Sequence, residues 1–308
     1  MSSTQPTRDC QAFLRAARDT APDFGPATAR AAFLVTPEGF VRAEQSASDN
    51  RYMADAPDFD AGAALAEHRA LQRALSSELP VIAFAGDPAT PDAVFPNNVF
   101  ATAPGRLIVG HMRHEVRQRE AARGDIRGFF RDTLGYREHD LSAQPHPCEL
   151  TGALVIDRAR GLGFCGLSER CDEAGAALMH QAFGLRATLI FDLAPGEYHT
   201  NVVLAVLAGR AALFSPAGFA DPRVPAILTG LYGALAVPLS ADEQAAFAAN
   251  AIALRPDSVW MSRRAAEALS AATRQHLEKT AGFTVREVPL AAIEAGGGSL
   301  RCCVGEIF

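Results

Sequence analysis

Residues 151–192 read TGALVID, RARG, LGFCGL, SERCDEAGAALMHQAFG, LRATLIFD. Thr151–Asp157 is an apolar run of strand length. Arg158–Gly161 is a tight turn, and Leu162–Gly166 is a second strand. Apolar residues then recur at helical spacing from Glu169 to Phe183, and Leu185–Phe191 is a third strand. The unit is strand, turn, strand, helix, strand.

The same order returns on both sides at a spacing of roughly 50 residues, the signature of a structural repeat. Upstream it runs through Asn98–Thr102, the turn Ala103–Gly105, Arg106–Gly110, a helix over Val116–Leu134 and Tyr136–Leu141. Downstream it appears as TNVVLAVL, Gly209-Arg210, AALFS, a helix over Pro222–Leu235 and AVPL. A further pass is NAIAL, Arg255–Asp257, SVWMS, a helix over Ser262–Thr280 and FTVREV. Residues 31–85 fit a degenerate unit: AAFLVTP, a long loop, a helix over Ala61–Ser76, and PVIAF. The last run, SLRCCVGEIF, is a spare strand able to close a ring against this first unit. No Gly/Ser/Pro-rich linker separates the units, so a closed ring fits better than two unrelated α/β domains. The expected organisation is one domain over 29–308, with residues 1–28 as an extension carrying an extra helix.

Composition narrows the function. The chain has 308 residues, 48% hydrophobic and 21% charged, with a net charge of −6 and no basic block. Nucleic acid and anionic membrane surfaces are therefore unexpected partners. No run approaches the ~20 apolar residues of a membrane span, and the N-terminus has no apolar signal core. A cytoplasmic protein is the expectation. Six cysteines and eight histidines show no zinc-type spacing, so neither a metal nor an organic cofactor is expected. Most of the thiols should be buried small hydrophobes.

Unusual polar residues collect at the start of each unit's first strand. These are Asp92 to Asn98 in PDAVFPNN, Cys148-Glu149-Leu150-Thr151-Gly152, Tyr198-His199-Thr200-Asn201, and Gly296–Cys302 in GGGSLRC. Each signal alone has an ordinary structural meaning; paired asparagines, for example, mark turns. Around an axis, however, the four positions converge, bringing a Cys, a His and a Glu together as nucleophile, proton shuttle and orienting acid.

At this point the motifs resemble a family. PDAVFPNNVF, ELTGALVID, GLSERCDEAG, YHTNV and GGGSLRC are similar to those of the guanidino-group-modifying enzymes. That superfamily has the five-bladed α/β-propeller, or pentein, fold: ββαβ repeats around a central active-site cavity. It includes arginine deiminase, dimethylarginine dimethylaminohydrolase, agmatine deiminase and the amidinotransferases. The resemblance covers Ala31–Phe308 and is nearest the citrulline-utilisation hydrolase branch. It implies Cys302 as nucleophile, with Cys303 adjacent, His199 as catalytic histidine and Glu149 as acid. It further implies Arg170, and on a weaker match Arg117, as contacts for the substrate carboxylate, and Asp92 for its amino group.

The departures from the family pattern bear on specificity. Deiminases hold the cationic guanidinium with carboxylates at the Asn97/Asn98 position and two residues after the histidine. Here those positions are Asn98 and Asn201. A buried cation facing amides forfeits charge-assisted hydrogen bonds of about 1.5–3 kcal/mol each. A neutral ureido group, with both donors and an acceptor, suits amides. The expected reaction is thus citrulline to ornithine, ammonia and carbon dioxide through a covalent Cys302 intermediate. Arginine deiminase and dimethylarginine hydrolase are the alternatives. An amidinotransferase and a non-catalytic binding protein of the same fold stand behind them. The expected partner is a small arginine-related amino acid, and a homodimer is compatible with the reading.

Overall fold

A computed structural model describes residues 5–308; residues 1–4 of the expected extension lie outside the described residues. Five three-stranded sheets are arranged as blades. Blade 1 holds β1 (Ala31–Val35) and β2 (Val81–Phe84). Blade 2 holds β3 (Phe100–Ala103), β4 (Arg106–Val109) and β5 (Arg137–Asp140). Blade 3 holds β6 (Leu154–Asp157), β7 (Leu162–Leu167) and β8 (Ala187–Asp192). Blade 4 holds β9 (Leu204–Leu207), β10 (Ala211–Phe214) and β11 (Ala236–Pro238). Blade 5 holds β12 (Ile252–Arg255), β13 (Ser258–Ser262) and β14 (Thr284–Val288). The C-terminal β15 (Gly305–Ile307) completes blade 1.

In blades 2 to 5 the first two strands form an antiparallel hairpin, and the third returns parallel to the second after a helical crossover. The crossover is obligatory because a parallel neighbour cannot be reached by a tight turn. Blade 1 reaches the same pattern differently. β15 pairs antiparallel with β1, Ala31 opposite Ile307, so the two ends of the chain close the ring.

The packing follows from this geometry. Each of the five large apolar clusters lies between neighbouring blades. One joins Val155, Phe164 and Leu189 of blade 3 to Leu204 and Phe214 of blade 4. Others join Leu34 to Leu254, Leu213 to Met261, Ile108 to Leu154, and Phe33 to Val109. The middle strands are buried along their length, β10 and β13 entirely so, which explains why they read as unbroken apolar runs.

The longer helices among the described residues are α1 (Cys10–Arg18), α2 (Ala61–Leu75), α3 (Glu173–Phe183) and α4 (Arg223–Tyr232). α1 starts on Asp9, whose carboxylate accepts from the N–H groups of Gln11 and Ala12. It packs against α4 and β8, and Thr7 bonds alongside β8. α3 is capped by Asp172 and ends on left-handed Gly184.

Two expected helices are interrupted. Blade 2's 116–134 segment breaks at Arg123, whose backbone is extended, and finishes as a π turn, Phe129–Thr133. Blade 5's 262–280 segment breaks at Leu269 and restarts on Ser270, which caps Ala271–Gln275. The starts of the first strands also differ from expectation. Asn98, Thr151–Ala153 and Thr200–Val202 lie not in strand but in short helical turns: Pro96–Asn98, Leu150–Ala153 and Thr200–Val202. These turns swing the polar side chains toward the axis before the strand begins.

Candidate active site

Glu149 is fully buried at the head of blade 3, and its two oxygens have separate duties. Oε1 accepts from the backbone N–H of Arg113 at 3.0 Å. Oε2 accepts from His199 Nε2 at 2.8 Å and from Arg170 Nη1 at 3.3 Å. Burial opposes its charge, but the Arg170 guanidinium and the His199 bond outweigh that and hold the carboxyl well below the usual range.

His199 is equally buried. With Nε2–H given to Glu149, the lone pair sits on Nδ1, which has no partner among the described residues. Burial pulls the imidazole pKa down, against the pull of Glu149, so the ring is a neutral base. The space for Nδ1 comes from Gly152. A Cβ there would stand 2.9 Å from Nδ1 and 2.5 Å from Asn98 Oδ1, so the histidine and Asn98 meet over the same glycine.

Cys302 lies in the turn Leu300–Cys303 leading into β15. Its Sγ is 3.7 Å from Asn201 Oδ1 and accepts from Asn250 Nδ2 at 3.2 Å. Burial pushes the thiol pKa up. The donor to the sulfur is the Asn250 amide; that bond and the neighbouring Arg301 guanidinium favour the thiolate without outweighing burial. Cys303 faces the inter-blade core and bonds Ser299 O.

Cys302 opens on a small cavity also lined by Asp92, Phe95, Asn98, Arg117, Arg170 and Tyr198. Asp92 accepts from Ser46 through Oδ2, while Oδ1 has no partner, and burial raises its pKa. Arg117 is clamped bidentate to Glu120 through Nε and Nη2, leaving Nη1 without a partner among the described residues. Arg170 is different. Its Nε and Nη2 grip Asp49, Nη2 also reaches Ser46 O, and Nη1 holds Glu149. No donor nitrogen of Arg170 is left uncommitted, so of the two arginines Arg117 is the one with an open donor toward the cavity.

Asn97 points away from this group, exchanging hydrogen bonds with Thr151. Asn250, Asp49 and Ser46 were not singled out from the sequence. Asn250 carried a signal nonetheless, because it stands two residues before its first strand, the phase at which Asn98 stands in blade 2.

Among the described residues no cluster of His, Cys, Asp or Glu is placed to hold a metal, and no helix is long and apolar enough to cross a membrane.

Five three-stranded blades closed into a ring are the pentein fold of the guanidino-group-modifying enzymes. The family profile for N,N dimethylarginine dimethylhydrolase, eukaryotic, matches residues 36–308, and the chain belongs to that family. No curated protein sequence matches it. Among solved structures it is similar to the N-terminal domain of ArgZ, an arginine dihydrolase from the ornithine–ammonia cycle in cyanobacteria. There the TM-score is 0.78 at 18% identity, covering 90% of this chain and 97% of that one. Unliganded AgrE gives 0.78 at 20%, covering 90% and 39%. A dimethylarginine dimethylaminohydrolase adduct with S-methyl-L-thiocitrulline gives 0.68 at 18%, covering 91% and 100%. At these identities the likeness is one of fold.

Proposed function

We propose that this hydrolase acts on the ureido carbon of a citrulline-type amino acid through Cys302. One observation carries the choice of substrate. Among the described residues Asn97 Oδ1, Asn98 Oδ1 and Asn201 Nδ2 are buried without partners, and the two on residues beside the thiol are of opposite kind: the acceptor Asn98 Oδ1, on the Cys302 cavity, and the donor Asn201 Nδ2. A guanidinium is donor-only and leaves Asn201 Nδ2 unsatisfied. A ureido group donates N–H to Asn98 and accepts from Asn201 through its C=O. An unpaired buried donor costs about 1–3 kcal/mol, enough to separate the two substrates. The nearby carboxylates do not substitute: Glu149 is committed to His199 and Arg170, and Asp92 sits with Ser46. Asp92 Oδ1 instead suits the α-ammonium, and Arg117 Nη1 the α-carboxylate.

His199 Nδ1 takes the thiol proton as Sγ bonds to the ureido carbon. The same proton goes to the leaving nitrogen, the C–NH2 bond breaks, and ammonia departs from an S-linked thiocarbamate. Water gives a proton to Nδ1 and adds to that carbon; the C–S bond breaks and the thiol is restored. The carbamate released loses carbon dioxide, so citrulline and one water yield ornithine, ammonia and carbon dioxide. Glu149 holds the ring with Nδ1 available and stabilises its protonated form.

The test is a panel of citrulline, arginine, dimethylarginine and agmatine with ammonia, ornithine and citrulline quantified. Equal ammonia and ornithine from citrulline is expected. Arginine turned over to citrulline, with citrulline itself inert, overturns the reading.

A further inference from the structure

Asn250 makes three side-chain hydrogen bonds, all around the thiol. Nδ2 donates to Cys302 Sγ at 3.2 Å and to Asn201 O at 2.9 Å; Oδ1 accepts from Cys302 N at 3.3 Å. Its backbone is equally engaged, with N bonded to Phe247 O and O accepting from Arg301 N. The bend that presents it is strained, because Phe247 lies in the left-handed region at φ 64°. The Phe247 ring is held there by Tyr52, with centroids 5.0 Å apart. One fully buried side chain thus ties the heads of blades 4 and 5 to the turn carrying Cys302.

We propose that Asn250 is a positioning residue that fixes the Cys302 thiol and favours its thiolate; this rests on Cys302 being the nucleophile. The sulfur has two amide neighbours with opposite tasks. Asn201 Oδ1 receives the S–H of the neutral thiol, whereas Asn250 Nδ2 donates to sulfur and binds the thiolate more strongly. Ionisation therefore strengthens the Asn250 bond and removes the S–H bond to Asn201 Oδ1. Burial pushes the thiol pKa up, and the Asn250 donor is the largest influence opposing it. The neighbouring Arg301 guanidinium acts in the same direction more weakly, so the direct donor to the sulfur is an amide rather than a cation.

The experiment measures the pH dependence of iodoacetamide alkylation at the Cys302 peptide in wild type, Asn250→Ala and Asn250→Asp. Loss of a hydrogen bond to the thiolate moves the midpoint up by about one to two pH units in Asn250→Ala. Asn250→Asp keeps the acceptor for Cys302 N and the side-chain shape, and is the variant to rely on should Asn250→Ala fail to fold. It moves the midpoint at least as far, because a carboxylate replaces the donor. Citrulline kcat/KM near neutrality falls about 10–100-fold in both, with KM nearly constant, and recovers as pH rises. A merely structural role lowers activity equally at every pH without moving the midpoint, and that result overturns the proposal. Cys302→Ser separates the two levels: an active Cys302→Ser sinks the nucleophile assignment, whereas an inactive Cys302→Ser together with an unmoved midpoint in the Asn250 variants sinks only the role of Asn250.

Discussion

Gly152→Ala tests whether the vacancy over Gly152 is what the base occupies. Gly152 does not lie in the left-handed region, so alanine brings no backbone strain, only a methyl group. That methyl would meet Asn98 Oδ1 at 2.5 Å, His199 Cε1 at 2.8 Å and His199 Nδ1 at 2.9 Å. Ordinary contact begins near 3.4 Å, so the ring or the amide must retreat by about half an ångström or more. His199 is pinned at its far side by Glu149, and retreat tilts Nδ1 away from the reacting centre. A misplacement of this order costs about 100-fold in rate, or about 2.7 kcal/mol of barrier. Overpacking costs a further ~1–3 kcal/mol of stability, read as a lowered thermal midpoint. The assay is citrulline kcat/KM beside calorimetric unfolding. Gly230→Ala is the control, because nothing lies within 4 Å of its Cβ position, on helix α4; it should be neutral or stabilising by about 0.5–1 kcal/mol. A Gly152→Ala enzyme with activity within about threefold of wild type would refute the placement of the base.

Glu149→Gln leaves Arg170 and His199 facing a neutral group in the interior and should destabilise the fold by about 3–5 kcal/mol at pH 7. Because the native acid is held below its ordinary 4.5, its contribution is complete above that pH and is lost as pH falls toward the depressed value. The wild-type advantage in urea unfolding should therefore narrow by about 1 kcal/mol between pH 5 and 3.5; a constant gap contradicts the ion-pair account. Cys302→Ser should abolish turnover and Cys303→Ser preserve it, since only Cys302 borders the cavity; loss in both, with folding intact by circular dichroism, would defeat that division. Asn98→Asp with Asn201→Asp should move preference from citrulline toward arginine by about 10-fold or more, because each new carboxylate gains a charge-assisted bond to a guanidinium. An unchanged ratio of kcat/KM values would show that the amides do not read substrate charge.

The sequence disclosed those features that recur. Apolar runs such as LGFCG and AALFS announced the middle strands because burial between neighbouring blades removes every reason for alternation. SLRCCVGEIF stood out as a strand without a hairpin partner, and β15 on β1 supplies one from across the chain. The short turns before the first strands were not legible, because three or four residues such as LTGA satisfy a strand and a helical turn equally well. The breaks at Arg123 and Ser270 were hidden for another reason. Helical spacing continues through both, while the interruptions depend on Arg123 gripping Asp125 and on Ser270 capping Thr273. Arg170 illustrates what a motif leaves out. GLSERC marks a basic residue near the site, but Asp49, which occupies its guanidinium, comes from a loop 121 residues away in sequence.

The repeat also explains why the chemistry gathers where it does. Asn98, Gly152, Asn201, Asn250 and Cys302 all stand two or three residues ahead of a first strand, one from each blade. Equivalent positions in a ring face one another, so five separate segments meet without any long-range contact being specified in the sequence. Except for the Cys302 turn, these residues lie outside the five inter-blade apolar clusters. Their identity is therefore set by the contacts they make with one another at the axis rather than by the apolar packing that closes the ring. Amide, glycine and thiol at one phase thus amount to a setting of the site rather than a requirement of the fold. The number of carboxylates at that phase is the variable that matches the ring to a cationic or a neutral substrate. On the reading proposed above, two amides where deiminase-type patterns carry acids suit this ring to the neutral one.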